Sequence, residues 1–407
     1  MTPTTITMGI AVSSMADASP AGGARGERIR PPEPRLCREL SLAGRPMAVD
    51  VFVFAADDYD ASGGSLTGCR FRDGAWRREA VPLPDVVYDR SFCTGAEQRR
   101  RLRSALGAMA ARKPHRQLNG RLPSKLAVYE CLRQDPRLAP HLPETEPFES
   151  AGRLMEAVRR LGGGVMVKPA AGMQGRGVVR LRREWSSGLV QAEGRSGANR
   201  PFKESFGSER ELSRWLSGFM KQSPFLVQPY LRLLDENGRP WDIRALLQKD
   251  GSGRWTATGT AARLGRTGTL TSNLHGGGEA VRADALLWAR FGKSRGERLL
   301  EAVHTISRRA ASRLESGFGR YGELAFDFGV EPDGRLWLLE ANAKPGREAF
   351  RLTGDAEAQR LSVERPLQYA RYLFNLAQGR TTMPAGRARS RTKALTVGNG
   401  QFEGLDL

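Results

Sequence analysis

The sequence predicts a mixed α/β protein with several sheets, and three observations support this prediction. Short apolar runs typical of strands alternate with amphipathic runs typical of helices along most of the 407 residues. Two segments, around residues 170 and 333, have the glycine and Asp-Gly signals of β-hairpins. With 40% hydrophobic residues the chain can bury substantial cores, which suggests two or three domains.

The composition indicates anionic partners and a reducing compartment. Lys and Arg number 64 against 44 Asp and Glu, and the formal net charge of +20 favours nucleotides, nucleic acid or acidic polymers. The four cysteines form no C-x-x-C pair, which favours reduced thiols. The N-terminus is a poor signal peptide, and every apolar run is too short to span a bilayer. We therefore expect a cytoplasmic protein without a membrane span.

Residues 1–120 predict a small N-terminal α/β domain. Residues 5–14 and 49–56 have the pattern of strands, and residues 35–44 that of a helix. Residues 16–34 are rich in Gly, Ala, Pro and Arg, which predicts a flexible insertion. No paired catalytic constellation is evident here, so we expect this domain to present a second substrate or only to pack.

Two lysines in residues 121–230 are candidates for binding phosphate. Lys125 lies in the first turn of a helix that Ser124 could cap, where the helix dipole disfavours a cation unless an anion is near. A solvated lysine is the alternative. Lys168 ends the first strand of the hairpin near residue 170, whose loop glycines would let backbone N–H groups approach phosphates. These glycines are Gly172, Gly175 and Gly177.

The strand after this hairpin ends in Gln228-Pro229-Tyr230. Its backbone could hydrogen-bond the edge of an adenine while apolar neighbours hold the ring, although an ordinary core strand has the same pattern. Downstream, Arg244, Arg263 and the loop at Asn273 could together receive phosphate and developing oxyanion charge. These residues belong to a predicted third region, 231–378, which a polar, basic and disordered tail, 379–407, follows.

The most informative segment of that third region is the predicted hairpin at residues 322–346. If Asp333 and Gly334 form its turn, Asp327 faces Glu340 across the ladder, and Asn342 shares the face of Glu340. Facing carboxylates repel unless a cation lies between them, and oxygen ligands suit magnesium. Solvent exposure of both acids is the alternative. The opposite face is predicted to consist of Phe326, Phe328, Trp337 and Leu339.

Taken together, these motifs resemble the ATP-grasp superfamily. Within it, the chain most resembles the YheC/YheD endospore coat-associated family, on the evidence of PLPDVVYDRSF, DPRLAPHLPET, the Lys168 loop and LLEANAKPGR. The resemblance implies an ATP-grasp fold, in which two lobes sandwich a nucleotide behind a small pre-ATP-grasp domain.

The resemblance also implies a role for each candidate residue. Lys125, Lys168 and the loop glycines would contact ATP phosphates, and Gln228, Pro229 and Tyr230 would meet adenine. Asp327, Glu340 and Asn342 would hold magnesium, or manganese in its place. Four residues would steady the phosphoryl group and the acceptor carboxylate: Arg244, Arg263, Asn273 and Arg347.

The expected activity is ATP-dependent ligation of a carboxylate to an amine through an acylphosphate, with positioning and charge neutralisation as the main catalytic factors. The acceptor is expected to be a small carboxylate, an acidic peptide or a spore-coat protein. A non-catalytic, nucleotide-binding coat component is the alternative. Nucleic acid is disfavoured because acids are interspersed with the basic residues and no aromatic stacking platform is evident.

Overall fold

Residues 4–18, 28–93, 95–172, 175–184, 186–221, 223–272, 274 and 277–381 are described by a computed structural model. The chain divides into two units that are not continuous in sequence. Unit 1 comprises residues 1–119, 249–254 and 363–407, and unit 2 comprises residues 120–248 and 255–362. The linear domain limits of the sequence analysis stay a prediction.

Unit 1 contains a six-stranded sheet of order β6-β5-β4-β1-β7-β8, and β1 lies parallel to both β4 and β7. Both faces of this sheet are apolar and are covered by helices, which is usual for sheets with parallel strands. The helices are α1 (Pro34–Gly44) and α2 (Ala96–Arg112). The strands are β1 (Ile6–Val12), β4 (Val49–Ala55), β5 (Leu66–Arg72), β6 (Ala75–Val81), β7 (Val86–Asp89) and β8 (Arg116–Gln117).

The segment predicted to be an insertion begins and ends in a short antiparallel pair, β2 (Ala16–Ala18) with β3 (Arg28–Arg30). Residues 19–27 between these strands lie outside the described residues. Of the predicted tail, only residues 379–381 are described.

Unit 2 contains two sheets, of which the first has six strands in the order β13-β12-β11-β10-β14-β9. Its helices, α3 (Lys125–Arg133), α4 (Ala151–Arg160) and α5 (Glu209–Met220), each begin after a serine whose hydroxyl accepts a backbone N–H. The strands are β9 (Glu146–Pro147), β10 (Val165–Pro169), β11 (Val179–Arg183), β12 (Val190–Arg195), β13 (Pro201–Phe206) and β14 (Phe225–Pro229).

The second sheet of unit 2 has the order β17-β16-β15-β18-β19. Its strands are β15 (Trp241–Lys249), β16 (Trp255–Leu264), β17 (Glu279–Arg282), β18 (Glu323–Val330) and β19 (Leu336–Asn342). Its helices are α6 (Ala283–Phe291), α7 (Lys293–Phe318), α8 (Glu348–Leu352) and α9 (Ala356–Ala377), the last of which continues into unit 1. Within the described residues, no helix combines the length and apolarity needed to cross a bilayer.

One face of this second sheet is apolar and packs against α7. Ile243 and Ala245 of β15 and Phe326 of β18 share a core with Val303 and Ile306 of α7. Because side chains alternate along a strand, the intervening residues of β15 and β18 point to the opposite face. That face is rich in charged side chains, and it contains the candidate site residues of this sheet.

The hairpin β18–β19 pairs Asp327 with Glu340 and Ala325 with Asn342, as predicted. The predicted two-residue turn is wrong, however. Glu331 N–H bonds the Arg335 carbonyl, so three residues form the loop, and Gly334 has a left-handed φ of 82°.

The three-residue loop shifts the pairing near the turn by one residue. A β-bulge opposite the step from Asp327 to Phe328 takes up one extra residue of β19, so Asp327 still pairs with Glu340. Consequently Leu336 and Leu338 pack in the core beside Phe326 and Phe328. The prediction that Trp337 and Leu339 occupy that face is wrong, since the pattern gave no sign of the bulge.

Candidate functional site

A cleft in unit 2 encloses about 560 Å³ of empty space, part of it open to solvent. Small-molecule sites usually have mainly apolar walls with a few polar groups, and this cleft has that composition. Four of its polar residues are predicted site residues: Lys125, Lys168, Gln228 and Glu340. The walls are mostly apolar: Leu122, Pro123, Val128, Leu132, Leu142, Pro143, Leu226, Leu338, Leu339 and Ala341, with Tyr129 and Thr145.

Strand register brings two of the polar residues to the same wall. β10 is antiparallel to β14, with Lys168 opposite Leu226 and Met166 opposite Gln228. Leu226 and Gln228 are two residues apart, so they share the face of Lys168. Val167, on the alternate face, lies in the apolar core that α4 and α5 cover. The same alternation that builds this core therefore directs Lys168 and Gln228 into the cleft.

The first turn of α3 brings Lys125 to the same cleft. Ser124 caps this helix, because its Oγ accepts the Ala127 N–H at 3.3 Å, as the sequence predicts. The Nζ of Lys125 lies 3.3 Å from Oε1 of Glu340, and neither side chain is more than about a third exposed. Lys125 therefore pairs with an acid of β19 across the cleft and is not simply solvated.

The charges at this position are unbalanced. The pKa of Lys168 is lowered to about 8, mainly by burial and also by the charge of Lys125, while Glu340 opposes the shift. Two lysines thus share one carboxylate in a partly desolvated cleft. An anionic ligand such as a phosphate would relieve the repulsion between the lysines and favour the charged form of Lys168.

The glycine-rich hairpin β10–β11 forms as predicted, with Val167 opposite Val179. Gly175 and Gly177 have left-handed φ angles of 70° and 69°. A Cβ on Gly177 would lie 3.0 Å from Cγ of Pro169, so this position needs a glycine for both reasons. Gly172 precedes residues 173–174, which lie outside the described part of the chain.

Pro229 and Tyr230 do not lie in the wall of the cleft with Gln228. Pro229 is opposite Val165 in the ladder and therefore faces away from the wall that Gln228 forms. The guanidinium of Arg180 lies 3.6 Å from the centre of the Tyr230 ring. Among the residues described, neither Pro229 nor Tyr230 lines the cleft. Their predicted contact with adenine stays a prediction.

A second cluster of charged residues lies on the polar face of the second sheet. Arg244 lies opposite Asp327 in the ladder and donates two hydrogen bonds of 2.6 Å to its carboxylate. Arg263 donates to Asp242 at 2.7 Å and lies 3.0 Å from Asp327. Ser272 also donates to Asp242, at 2.6 Å. Burial alone would raise the pKa of Asp327, but Arg244 and Arg263 hold it at about 2.

Arg347 belongs to a third cluster. It pairs with the fully buried Glu323 at 2.5 Å. Gln248 donates to the same carboxylate at 3.0 Å, and Thr258 donates to Gln248. Glu323 is four residues before Asp327 on β18, which corresponds to roughly 13 Å along a strand. The structure therefore brings Arg244 and Arg263 together beside Asp327. It places Arg347 beside Glu323, at another position along β18.

The hairpin acids differ from the prediction in one physical respect. The sequence argument invoked a metal ion to relieve the repulsion between Asp327 and Glu340, whereas side-chain cations also do so in the structure, and the metal site stays a prediction. Asp327 is already neutralised by two arginines, and Glu340 is paired with Lys125. Over the described ranges, no group of three or more His, Cys, Asp or Glu residues is arranged to hold a metal ion.

The donor chemistry nevertheless fits a hard divalent cation. Asp327, Glu340 and Asn342 present two ionisable carboxyl groups and an amide on one face of a strand pair, and oxygen ligands of this kind suit magnesium when phosphates complete the shell. Asn273, predicted to assist the arginines, lies outside the described residues.

Sequence reasoning missed two features of the site. Thr145 lies in an irregular segment with no periodic pattern, and its role depends on β14, 83 residues later. The apolar residues of α3 that face the cleft looked like ordinary helix core. Asp242 and Ser272 are visible in the sequence as polar residues near Arg244 and Asn273. Only the fold shows that Ser272 and Arg263 both donate hydrogen bonds to the carboxylate of Asp242.

Comparison with known proteins gives consistent matches. The family model described as "YheC/D like ATP-grasp" matches residues 115–373. The chain is 29% identical to the endospore coat-associated protein YheD of Bacillus subtilis (strain 168) over 339 residues, which are 80% of this chain and 71% of YheD. It is 28% identical to the endospore coat-associated protein YheC of the same strain over 314 residues, 76% of this chain and 83% of YheC.

A solved structure with a similar fold is the ADP complex of purK, N5-carboxyaminoimidazole ribonucleotide synthetase. The TM-score is 0.50 at 13% identity, and the alignment covers 90% of this chain and 78% of that chain. At this level of identity the likeness concerns the fold alone.

Proposed function

Because the chain belongs to the YheC/D-like ATP-grasp family, we propose that it is an ATP-dependent ligase that joins a carboxylate to an amine through an acylphosphate. The family match confirms the predicted ATP-grasp fold, and ATP binding follows from that fold. The finer assignment, to a carboxylate and an amine, is the part of this proposal that the experiment below tests.

One observation supports the proposal above the others. Three separate segments, α3, the β10–β14 pair and β19, contribute Lys125, Lys168, Gln228 and Glu340 to one cleft. Two lysines with one carboxylate leave an excess of positive charge, which suits the phosphates of a nucleotide. Apolar walls suit a flat base.

Asp327, Glu340 and Asn342 would hold the divalent ion, magnesium or manganese. When bound, this ion would supply charge neutralisation for the transferred phosphoryl group. The ion requires an ionised Asp327, and the adjacent arginines hold the pKa of this carboxyl below its ordinary value.

The chain's own residues supply the remaining functions. Arg244 and Arg263 provide fixed positive charge beside Asp327, and Lys125 and Lys168 provide it in the cleft. The loop with Gly172, Gly175 and Gly177 would cover the phosphates. Arg347 would bind the acceptor carboxylate if its pair with Glu323 opens on substrate binding. None of these roles needs a nucleophilic side chain, because the substrate carboxylate attacks the γ-phosphorus and the amine later displaces phosphate.

Both relatives are named endospore coat-associated proteins, which suggests a role in the coat. We propose an acidic peptide or a spore-coat protein as the acceptor and the cytoplasm as the place of the reaction. The net charge of +20 suits an acidic acceptor. A coat component that binds ATP without turnover is the competing candidate, and the names of the relatives favour it equally.

The proposal is tested by measuring ADP release with Mg-ATP and pools of carboxylates and amines, including acidic peptides. We expect ADP and phosphate to appear only when both an acid and an amine are present, together with a product whose mass has increased by the amine less water. Tight ATP binding without turnover on any pair would support the non-catalytic alternative.

A further inference from the structure

The orientation of one amide in the cleft is determined by its neighbours. Thr145 is buried and lines the cleft beside Gln228. Its Oγ1 donates a hydrogen bond to the carbonyl of Pro143 at 2.8 Å, and it lies 2.6 Å from Nε2 of Gln228. These three groups form a chain of hydrogen bonds that ends at the cleft.

These hydrogen bonds can run in only one direction. A carbonyl oxygen cannot donate, so the contact with Pro143 uses the single proton of the Thr145 hydroxyl. The hydroxyl oxygen then has only lone pairs to offer to Gln228. The amide must therefore direct Nε2 toward Thr145, because the opposite orientation would place two acceptor oxygens 2.6 Å apart.

This orientation decides what the amide offers to a ligand. With Nε2 bonded to Thr145, Oε1 of Gln228 is the atom left to contact a bound group, and it is an acceptor only. No hydrogen bond to Oε1 occurs in the part of the chain that the structure describes. The surrounding walls include Leu142 and Leu226, which suit the faces of a planar ring.

We propose that Thr145 is a positioning residue that makes Gln228 select a nucleotide base with an amino group at position 6. This inference rests on the proposed function, because it assumes that the base of the nucleotide occupies this end of the cleft. Adenine has one exocyclic donor, the 6-amino group, and it satisfies Oε1. Hypoxanthine and guanine, bound in the same orientation, present an oxo group there, and two acceptors would then face each other.

The test measures the dissociation constants of Mg-ATP and Mg-ITP, whose bases differ at position 6, amino against oxo, and in the proton that hypoxanthine carries at N1. We expect the wild-type protein to prefer ATP by at least about tenfold. In Thr145→Val the hydroxyl is replaced by a methyl group of similar size, so the amide can rotate and donate to an oxo group. We expect the ATP:ITP preference to fall by about tenfold, mainly through tighter ITP binding.

Two further variants separate this effect from a general loss of structure. Thr145→Ser keeps the hydroxyl and should keep the ATP:ITP ratio within about twofold of the wild type. Gln228→Leu removes the amide, and adding Thr145→Val to it should then leave the ratio unchanged. If Thr145→Val does not fold, Thr145→Ala takes its place, because it also removes the hydroxyl and should lower the ATP:ITP ratio in the same direction.

The possible outcomes distinguish this inference from the proposed function. A wild-type protein that binds neither nucleotide would overturn both. A wild type that binds ATP and ITP equally, or a Thr145→Val variant with an unchanged ATP:ITP ratio, would overturn only the role of Thr145. Loss of affinity for both nucleotides in equal proportion would also overturn it, since a merely structural role predicts that result.

Discussion

Two clusters of charged side chains in unit 2 differ in how far the protein balances their charge. The cluster of Lys125, Lys168 and Glu340 is half-buried, has two cations for one anion and opens to the cleft. The cluster of Asp242, Arg263 and Asp327, with Arg244, has two of each sign and is almost entirely buried.

The difference indicates separate tasks for the two clusters. A balanced, buried cluster contributes to a unique local structure, and its partners are lost only at high cost. An unbalanced cluster in a cleft is less favourable by itself, and it becomes favourable when an anion binds. We therefore expect substitutions in the balanced cluster to lower stability in addition to any effect on the proposed reaction. Substitutions in the unbalanced cluster should change mainly nucleotide binding.

The largest effect should follow Asp242→Asn in the balanced cluster. Arg263 and Ser272 donate to this buried carboxylate, so loss of its charge leaves Arg263 with only Asp327. We expect a destabilisation of about 3 kcal/mol or more, measured by chemical unfolding monitored by circular dichroism. The matched control is Asp73→Asn at an exposed ion pair, where we expect no measurable change. Equal stability of the two variants would contradict the assignment.

The next effect should follow Lys168→Met in the unbalanced cluster. The variant keeps the apolar stem but removes the charge beside the proposed phosphates, so we expect ATP to bind about 10- to 100-fold more weakly. Stability without nucleotide should not fall, because burial makes the charged form of Lys168 unfavourable. Calorimetric titration measures the affinity, and Lys203→Met at an exposed position of β13 is the control. If Lys168→Met lowers stability and leaves ATP binding unchanged, Lys168 has a structural role, and the distinction between the two clusters is wrong.

The pH dependence of stability sharpens the same comparison. The pKa of Lys168 is lowered from 10.5 to about 8 in the folded protein, so between these values the unfolded chain binds more protons. Stability relative to Lys168→Met should therefore rise by about 1–3 kcal/mol as the pH rises from below 8 toward 10.5. Unfolding curves of both proteins at several pH values measure this difference. A difference that does not change with pH would show that Lys168 is not desolvated.

The smallest effect should follow Gly177→Ala in the glycine loop. Its φ of 69° and the 3.0 Å approach to Pro169 predict a loss of about 1 kcal/mol, with weaker ATP binding if the loop covers phosphates. Gly107→Ala in α2 is the control, because nothing lies within 4 Å of the added Cβ and alanine favours helix. Thermal unfolding should give opposite signs for the two variants.

The hairpin β18–β19 illustrates what pattern reasoning can reach. The facing of Asp327 and Glu340 was predicted from a two-residue turn, yet the loop has three residues and a bulge restores the pairing. The prediction of the pair is confirmed although its turn is wrong. The faces of Trp337 and Leu339 were assigned incorrectly because a bulge depends on neighbouring strands and leaves no mark in the alternation of the hairpin itself.

Among the charged and polar site residues, those with local sequence signals were predicted, and contacts between distant residues were not. Lys125 after a capping serine and Lys168 before a glycine loop were found from local signals, and both line the cleft. The partners of Arg244 and Arg263 were not found, because Asp327 lies 83 residues from Arg244 in sequence. Thr145 was missed for the same reason, since its contact with Gln228 also joins residues 83 positions apart.

The sequence by itself determined the classes of element, the caps, the glycine loop, the family resemblance and four polar residues of the cleft. These features depend on side-chain period and on contacts within a few residues. Only the tertiary structure decided which charges neutralise one another, which amide is held in one direction and that Arg347 pairs with Glu323. Such pairings join segments that are distant in the chain, and they depend on strand register and tertiary packing, which local pattern does not encode.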